Sequence, residues 1–289
     1  MEWKHCADTA ALSNGVKMPC IGYGTWQAPD SGITVNNVMT ALRSGYRHVD
    51  TAAIYGNEES VGEGVRKSGI AREDVFVTTK HWITERGYQK TIAACEGSLK
   101  KLGLDYIDLY LIHWPAVARC DPKWEETNLD TWRGFERLYK DGKVRAIGVS
   151  NFLPVQLDSL IRNCEIGPMV NQIEFHPGCL QRETVSYSRY KGMIVEAWSP
   201  LGSGAVLKNA FLAKIAAGYG KTVAQLCIRF ALQNGVIPLP KSSSPARIQS
   251  NTDVFDFEIS PEDMRAIADM PITGYSGFYP EDAPAESYY

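Results

Sequence analysis

A closed parallel (β/α)8 TIM barrel with a small N-terminal β-hairpin is the α/β fold class this sequence predicts, on three observations. Eight short apolar runs recur along the chain, separated by longer amphipathic stretches. The runs are nearly continuous in apolar character rather than alternating, as strands covered on both faces require. At 289 residues the chain has a length at which α/β barrels form as one domain, so residues 1–289 read as a single barrel. An open doubly wound sheet is the other arrangement compatible with the same alternation.

The elements follow in order. In ALSNGVKMP, Asn14-Gly15 stands between two short alternating segments, the signature of a two-residue hairpin turn. CIGYG is followed by a helical pattern at 33–44, RHVD by 58–69, VFVTTK by 87–102 and DLYLIH by 128–140. AIGVS precedes 154–163, VNQIE precedes 181–190, MIVEAW precedes 209–219, and VIPLP comes after a helical run at 222–234. Three segments interrupt the rhythm. WPAVARCDPKWEETNLD after His113 is long and holds two prolines, LGSGAVLKN at 201–209 is Gly-rich behind a strand end, and the tail 271–289 is rich in Pro, Tyr and acidic residues. Connections of such length in compact domains are binding loops, lids or disordered segments, and barrel geometry puts the first two at the C-terminal mouth.

Composition narrows the function classes. A content of 44% hydrophobic and 22% charged residues supports a large core, and a net charge of −3 supplies no global positive field for nucleic acid or an anionic membrane. The seven cysteines are odd in number and widely spaced, without the paired short spacing of a zinc site, so they read as reduced thiols and no metal is expected. MEWKHCADTA lacks the basic start and apolar stretch of a signal peptide, and no run reaches about eighteen apolar residues, which points to a soluble cytoplasmic protein.

Asp50, Lys80 and His113 end apolar runs, and Tyr55 follows Asp50 by five residues. In a barrel these positions converge on one mouth. A free phenol has a pKa of about 10, so a proton-donating Tyr55 needs a neighbour that stabilises its phenolate. Lys80 can do this if Asp50 holds it charged in a buried setting. A neutral His113 can donate a hydrogen bond to a carbonyl oxygen and orient it. No protein nucleophile is evident for the carbonyl carbon, and hydride from a nicotinamide would complete the reaction. Singly, each residue has an ordinary explanation as a helix cap, a loop aromatic, a solvated cation or a structural imidazole. Four at one mouth are harder to explain that way.

The segments GYRHVDTAAIYGNEESVGEGVR, VFVTTKHW, LGLDYIDLYLIHWP, KVRAIGVSNF, PMVNQIEFHP, AWSPLGSG and IPLPKSS through NTDVFDF resemble the aldo-keto reductases, in the family's order and over roughly residues 11 to 270. Among them the chain is most similar to short microbial and protist members, which include diketogluconate reductases and the prostaglandin F synthases of kinetoplastids. The resemblance implies a (β/α)8 barrel, NADPH (NADP+) as cofactor, Tyr55 as general acid, Lys80 and Asp50 as its activators and His113 as the group that orients the carbonyl. No Gly-x-Gly-x-x-Gly follows a strand and opens a helix, so a Rossmann cofactor domain is unsupported.

For the cofactor, the resemblance assigns Ser150, Asn151 and Gln172 to the nicotinamide carboxamide and Trp198 to the face of its ring, where many relatives carry Tyr. It adds Thr25, Trp26, Asp50 and Ser199 to the cofactor-binding set, and Leu201 and Ser203 in the loop 200–205 over the pyrophosphate, where small residues let backbone N–H groups approach. Lys241, Ser242, Ser244 and Arg247 match a 2′-phosphate site, and Arg247 and Asn251 the positions that contact the adenosine end. Two cations and two hydroxyls within seven residues suit a phosphate. Trp26, Trp82 and Trp114 correspond to pocket walls, and flat apolar walls favour a broad range of small carbonyl substrates. A monomer is expected.

Lys80-His81-Trp82-Ile83 departs from the Lys-Leu-Trp-Asn common after this lysine, and the tail GYSGFYPEDAPAESYY differs from the family's usual endings. Two other function classes compete. A Schiff-base lyase would use Lys80 as the amine but leave Tyr55 and the 241–251 segment unused. A non-catalytic NADPH-sensing barrel would have no need of an intact quartet.

Overall fold

The computed structural model describes residues 3–282. Strands β1 (Thr9–Ala11) and β2 (Lys17–Pro19) pair antiparallel as the hairpin that precedes the barrel. Its connection differs from a two-residue turn. Leu12 N–H bonds Val16 O at 2.9 Å and Gly15 N–H bonds Leu12 O at 2.8 Å, so Ser13, Asn14 and Gly15 form a three-residue loop. Gly15 at φ 86° supplies the left-handed residue such a loop needs.

Eight parallel strands then occur in sequence order: β3 (Tyr23–Gly24), β4 (His48–Asp50), β5 (Phe76–His81), β6 (Leu109–Ile112), β7 (Ile147–Ser150), β8 (Val170–Glu174), β9 (Ile194–Trp198) and β10 (Ile237–Pro238). The seam is made at the two ends of this order. Gly22 N–H bonds Pro238 O at 3.0 Å and Gly24 N–H bonds Pro240 O at 3.1 Å. A Cβ on Gly22 would fall 2.5 Å from Leu239 Cδ2 and 2.7 Å from His48 Nδ1, so a residue without a side chain is what lets the seam close.

The helices are α1 (Gly32–Arg43), α2 (Glu58–Lys67), α3 (Tyr88–Leu102), α4 (Trp124–Lys140), α5 (Pro154–Asn163), α6 (Arg182–Tyr190), α7 (Ala210–Gly218), α8 (Val223–Gln233), α9 (Pro245–Ser250) and α10 (Pro261–Ala268). Their starts follow local chemistry. Ser31, Asn209 and Ser260 side chains accept backbone N–H bonds at the N-termini of α1, α7 and α10, and Thr222 with Gln225 forms a reciprocal capping box on α8. Helix α4 begins four residues earlier than the pattern at 128–140 suggests, because Asp121 accepts bonds from Lys123 N and Thr127 Oγ1 and thereby folds the turn before Trp124.

The period of two along each strand divides the buried residues between two environments. On β5, Thr79 bonds Glu58 of α2, and His81 packs edge-on against Phe135 of α4. Thr78 and Lys80 instead bond His48, Asp50 and Thr51. The outer layer is aromatic: Tyr110 stacks on Phe135 at 4.6 Å, and Phe135 on Trp132 at 5.5 Å, all three fully buried. Burial of each such ring contributes about 2–3 kcal/mol. Among the described residues no helix is long and apolar enough to cross a membrane.

The segment 201–209 contains a 3-10 stretch, Gly202–Lys208, with Ser203 and Gly204 at positive φ. The tail residues 283–289 lie outside the described residues.

Candidate active site

The C-terminal ends of β4, β5 and β6 bring Asp50, Lys80 and His113 together, and the short 3-10 turn Ala53–Tyr55 folds Tyr55 back over them. Lys80 Nζ donates to Asp50 Oδ1 at 2.6 Å and Thr51 O at 2.9 Å, and lies 3.4 Å from the Tyr55 hydroxyl. The Tyr55 and His113 rings meet edge to face with centroids 5.7 Å apart. The quartet expected from the sequence is one cluster.

Burial by itself pulls the Lys80 ammonium toward neutrality. The charges of Asp50 and Tyr55 and its bonds to both outweigh that pull, and its pKa ends above the ordinary lysine value. His113 goes the other way: burial first, then Lys80 and His81, hold it well below the usual imidazole range, so it is neutral at pH 7.

The proposed carboxamide partners form a hydrogen-bonded group at the ends of β7, β8 and β9. Ser150 Oγ donates to Gln172 O at 2.8 Å. Asn151, at φ 63°, donates through Nδ2 to His113 O at 2.9 Å and Ser150 Oγ at 3.2 Å, and accepts the Trp198 indole N–H at 2.9 Å. Asn151 therefore ties the His113 backbone to the Trp198 ring. Gln172 Nε2 reaches Asp50 Oδ2 at 2.9 Å and Glu196 Oε2 at 3.0 Å.

Of the three pocket tryptophans, two meet. Trp82 lies edge-on to His113 at 5.2 Å, Trp114 stacks against it at 6.5 Å, and both cluster with Ile83, Ile54 and Phe278. Trp26, half-buried, follows Thr25, whose hydroxyl and N–H both donate to Asp50 O, but it is not part of that cluster. His81 faces the helices, with Nε2 2.6 Å from Glu85 O and 3.3 Å from Thr91 Oγ1, and so belongs to the packing.

The loop residues assigned to the cofactor lie in two places. Ser199 and Ser203 hydroxyls are 3.2 Å apart beside half-buried Leu201. Across the seam, Ser242 is buried, its carbonyl accepts the Tyr23 hydroxyl at 2.7 Å, and its Oγ accepts Ser244 N–H at 3.1 Å and Arg247 Nε–H at 3.2 Å. Lys241 is exposed, and Asn251, just past the C-terminus of α9, is buried.

Two sets of residues were missed in the sequence. Glu196 and His48 line the barrel beneath the quartet, and each is signalled by a polar side chain inside an apolar run, MIVEAW and RHVD. Glu174 ends β8 and receives the tail: its Oε1 accepts Ser276 N–H at 2.8 Å, the Ser276 hydroxyl and His176 Nε2, and its Oε2 lies 3.4 Å from Gly277 N. Gly277 packs on Trp198, where a Cβ would stand 2.9 Å from Cη2. Phe278 reaches Trp114 at 6.5 Å.

A closed barrel with a buried lysine–carboxylate pair beneath a mouth tyrosine defines the class: a (β/α)8 enzyme equipped for acid–base chemistry. The chain belongs to the aldo/keto reductase family, whose model matches residues 20–271. It is 50% identical over 260 residues to a glyoxal reductase of Bacillus subtilis (strain 168), covering 90% of this chain and 91% of that one. It is 48% identical over 262 residues to a 9,11-endoperoxide prostaglandin H2 reductase of Trypanosoma cruzi (strain CL Brener), covering 90% of each. Among solved structures, a Bombyx mori aldo-keto reductase in complex with NADP superposes with a TM-score of 0.87 at 36% identity, covering 94% of this chain and 95% of that chain.

Proposed function

We propose that this protein reduces small aldehydes and ketones to alcohols with NADPH, Tyr55 donating the proton to the carbonyl oxygen. The observation that carries this reading is Lys80 Nζ, held by Asp50 and Thr51 with the Tyr55 hydroxyl 3.4 Å away. A fixed cation beside a phenol lowers the cost of the phenolate left after proton donation. His113 is neutral, and its Nδ1 is buried without a partner among the described residues. An N–H there would have no acceptor, so the proton belongs on Nε2, from which it can be donated to the substrate oxygen.

Bound NADPH supplies the hydride that these side chains lack. The residues present suit it. Gln172 and Asn151 offer amides for a carboxamide, the Trp198 indole is fixed by Asn151, and Lys241 and Arg247 offer charge for a phosphate. The complex of a relative with NADP supports the same cofactor. Trp82, Trp114, Ile54 and Phe278 provide an apolar wall beside His113 and Tyr55, suited to varied small carbonyls, including dicarbonyls of the kind named for the Bacillus relative. A lyase reading gains nothing from this site, because a Schiff-base amine must be neutral and Lys80 is held charged.

The test is NADPH oxidation with a panel of aldehydes and ketones, wild type against Tyr55→Phe. The expected result is a loss of at least about 100-fold in kcat with NADPH binding retained. Full activity in Tyr55→Phe would overturn the acid assignment, and no turnover of any carbonyl by wild type would favour the sensing barrel.

A further inference from the structure

The interior of the barrel holds one more carboxyl than the proposed chemistry uses. Glu196 on β9 is fully buried and in register with Gln172 on β8. The two carboxyl oxygens around Gln172 Nε2, from Asp50 at 2.9 Å and Glu196 at 3.0 Å, fix which end of that amide is nitrogen, since an amide oxygen there would face two acceptors. Both Nε2 protons are thereby engaged. Among the described residues nothing donates to Gln172 Oε1, which remains an available acceptor.

The other oxygen of Glu196 completes the pattern. Oε1 has no partner and lies 3.8 Å from His48 Nδ1, which has none either, while His48 Nε2 is 2.9 Å from Thr78 Oγ1. Lys80, the cation bonded here, is already paired with Asp50. A second carboxylate without its own cation is costly at this depth. A proton on Glu196 Oε1 removes that cost, turns a donor toward the bare His48 Nδ1 and leaves Oε2 free to accept from Gln172.

We propose that Glu196 is a positioning residue for carbonyl reduction: bearing a proton toward His48, it takes one amide hydrogen of Gln172 while Asp50 takes the other, and so presents Gln172 Oε1 to the carboxamide N–H2 of the nicotinamide. This rests on the reductase reading above and adds to it a residue outside the quartet. The charge balance supports it. Burial and the neighbouring Asp50 push the Glu196 carboxyl up to about 8, against the pull of Gln172 and Lys80, while burial and Lys80 take His48 down to about 3, so the proton stays on the carboxyl. The titratable groups facing Glu196 are Asp50 and His48 from β4 and Lys80 from β5; β8 contributes the uncharged Gln172 and β10 the apolar Ile237 in register. Above about pH 8 its ionisation adds a second negative charge beneath Lys80 and opposes the Tyr55 phenolate.

The experiment compares Glu196→Leu and Glu196→Gln in the full chain. Glu196→Leu removes the acceptor and should weaken NADPH binding, read by fluorescence titration, roughly tenfold. Glu196→Gln keeps an acceptor for Gln172 and a donor toward His48, and should recover binding to within about twofold of wild type. In the cofactor-free protein Glu196→Gln should lose an infrared C=O band of a protonated carboxyl, and its kcat/KM profile should lose the alkaline limb near pH 8. Wild-type NADPH affinity in Glu196→Leu, or an unchanged band and limb in Glu196→Gln, overturns the proposal. Should Glu196→Leu fail to fold, the band and the limb in Glu196→Gln still decide it. If wild type reduces carbonyls and both variants match it, only this inference falls; if Tyr55→Phe stays fully active, the reductase reading falls and this goes with it.

Discussion

Lys241 and Arg247 show how much one residue can be asked to explain. Both lie beyond β10, where Tyr23 from the barrel's first strand fastens the Ser242 carbonyl and Ser242 Oγ holds the Arg247 side chain. The loop is thus braced from within, while its two charged ends remain available to a 2′-phosphate. Lys241→Ala and Arg247→Ala should each weaken NADPH about tenfold or more and NADH by less than about twofold, because only the phosphate makes charge-assisted bonds there. Fluorescence titration with both nucleotides checks this, and equal losses would sink the assignment. These cations were legible because they stand together in a short polar segment, as Asp50, Lys80 and His113 were because they end apolar runs. Glu196 and His48 were passed over for the opposite reason: each sits inside a run read for its apolar character, and only a partner from another strand, Gln172 or Thr78, reveals why it is tolerated.

At the scale of elements, the eight strands and most helices could be read because their periodicity is local. The way segments cross the mouth could not, since it depends on contacts about a hundred residues apart. Glu174 at the end of β8 is the clearest case. It gathers the Ser276 and Gly277 backbone N–H groups and the Ser276 hydroxyl, which also lies 3.0 Å from Ser203 Oγ in the 3-10 stretch after β9. Thr273 N–H bonds Gly178 O at 3.0 Å, and Asp282 pairs with Arg119 of the connection after β6. The tail therefore spans the Ser203 side and the Trp114 side of the mouth. Glu174→Gln replaces one acceptor oxygen by a donor that faces the same N–H groups, and charge-assisted bonds of this kind contribute about 1.5–3 kcal/mol. We expect limited proteolysis within 271–282 to quicken at least about tenfold and the KM for carbonyl substrate to rise more than kcat falls. An unchanged cleavage rate would show that the tail is held elsewhere.

For the whole molecule, the titratable groups closed inside the barrel and its helical layer set a pH optimum of stability. Burial, with Lys80 second, holds His48 at about 3; burial, opposed by the Glu85 carbonyl and aided by Arg86, holds His81 at about 4; His113 is likewise well below its ordinary 6.5. Each is neutral in the fold and takes up a proton on unfolding below about pH 6.5, so the stability they represent is present above that value and is lost as pH falls toward 4. Glu196 has the opposite sign. Its folded pKa of about 8 lies above the ordinary 4.5, so its contribution is present below 4.5 and is lost as pH rises through 8. Between about pH 4.5 and 6.5 the three histidines outnumber the one carboxyl by a net of about two protons, a slope of about 2–3 kcal/mol per pH unit. Between 6.5 and 8 only Glu196 acts, with the reverse slope of about 1.4 kcal/mol per unit. The melting temperature should therefore peak near pH 6.5, falling by about 4 °C per unit on the acid side and about 2 °C per unit on the alkaline side for a chain of this length. Calorimetry across pH 4.5 to 8 checks it, and Glu196→Gln should flatten the alkaline side alone; a melting temperature that keeps rising from pH 6.5 to 8 in wild type would mean that Glu196 is ionised in the fold.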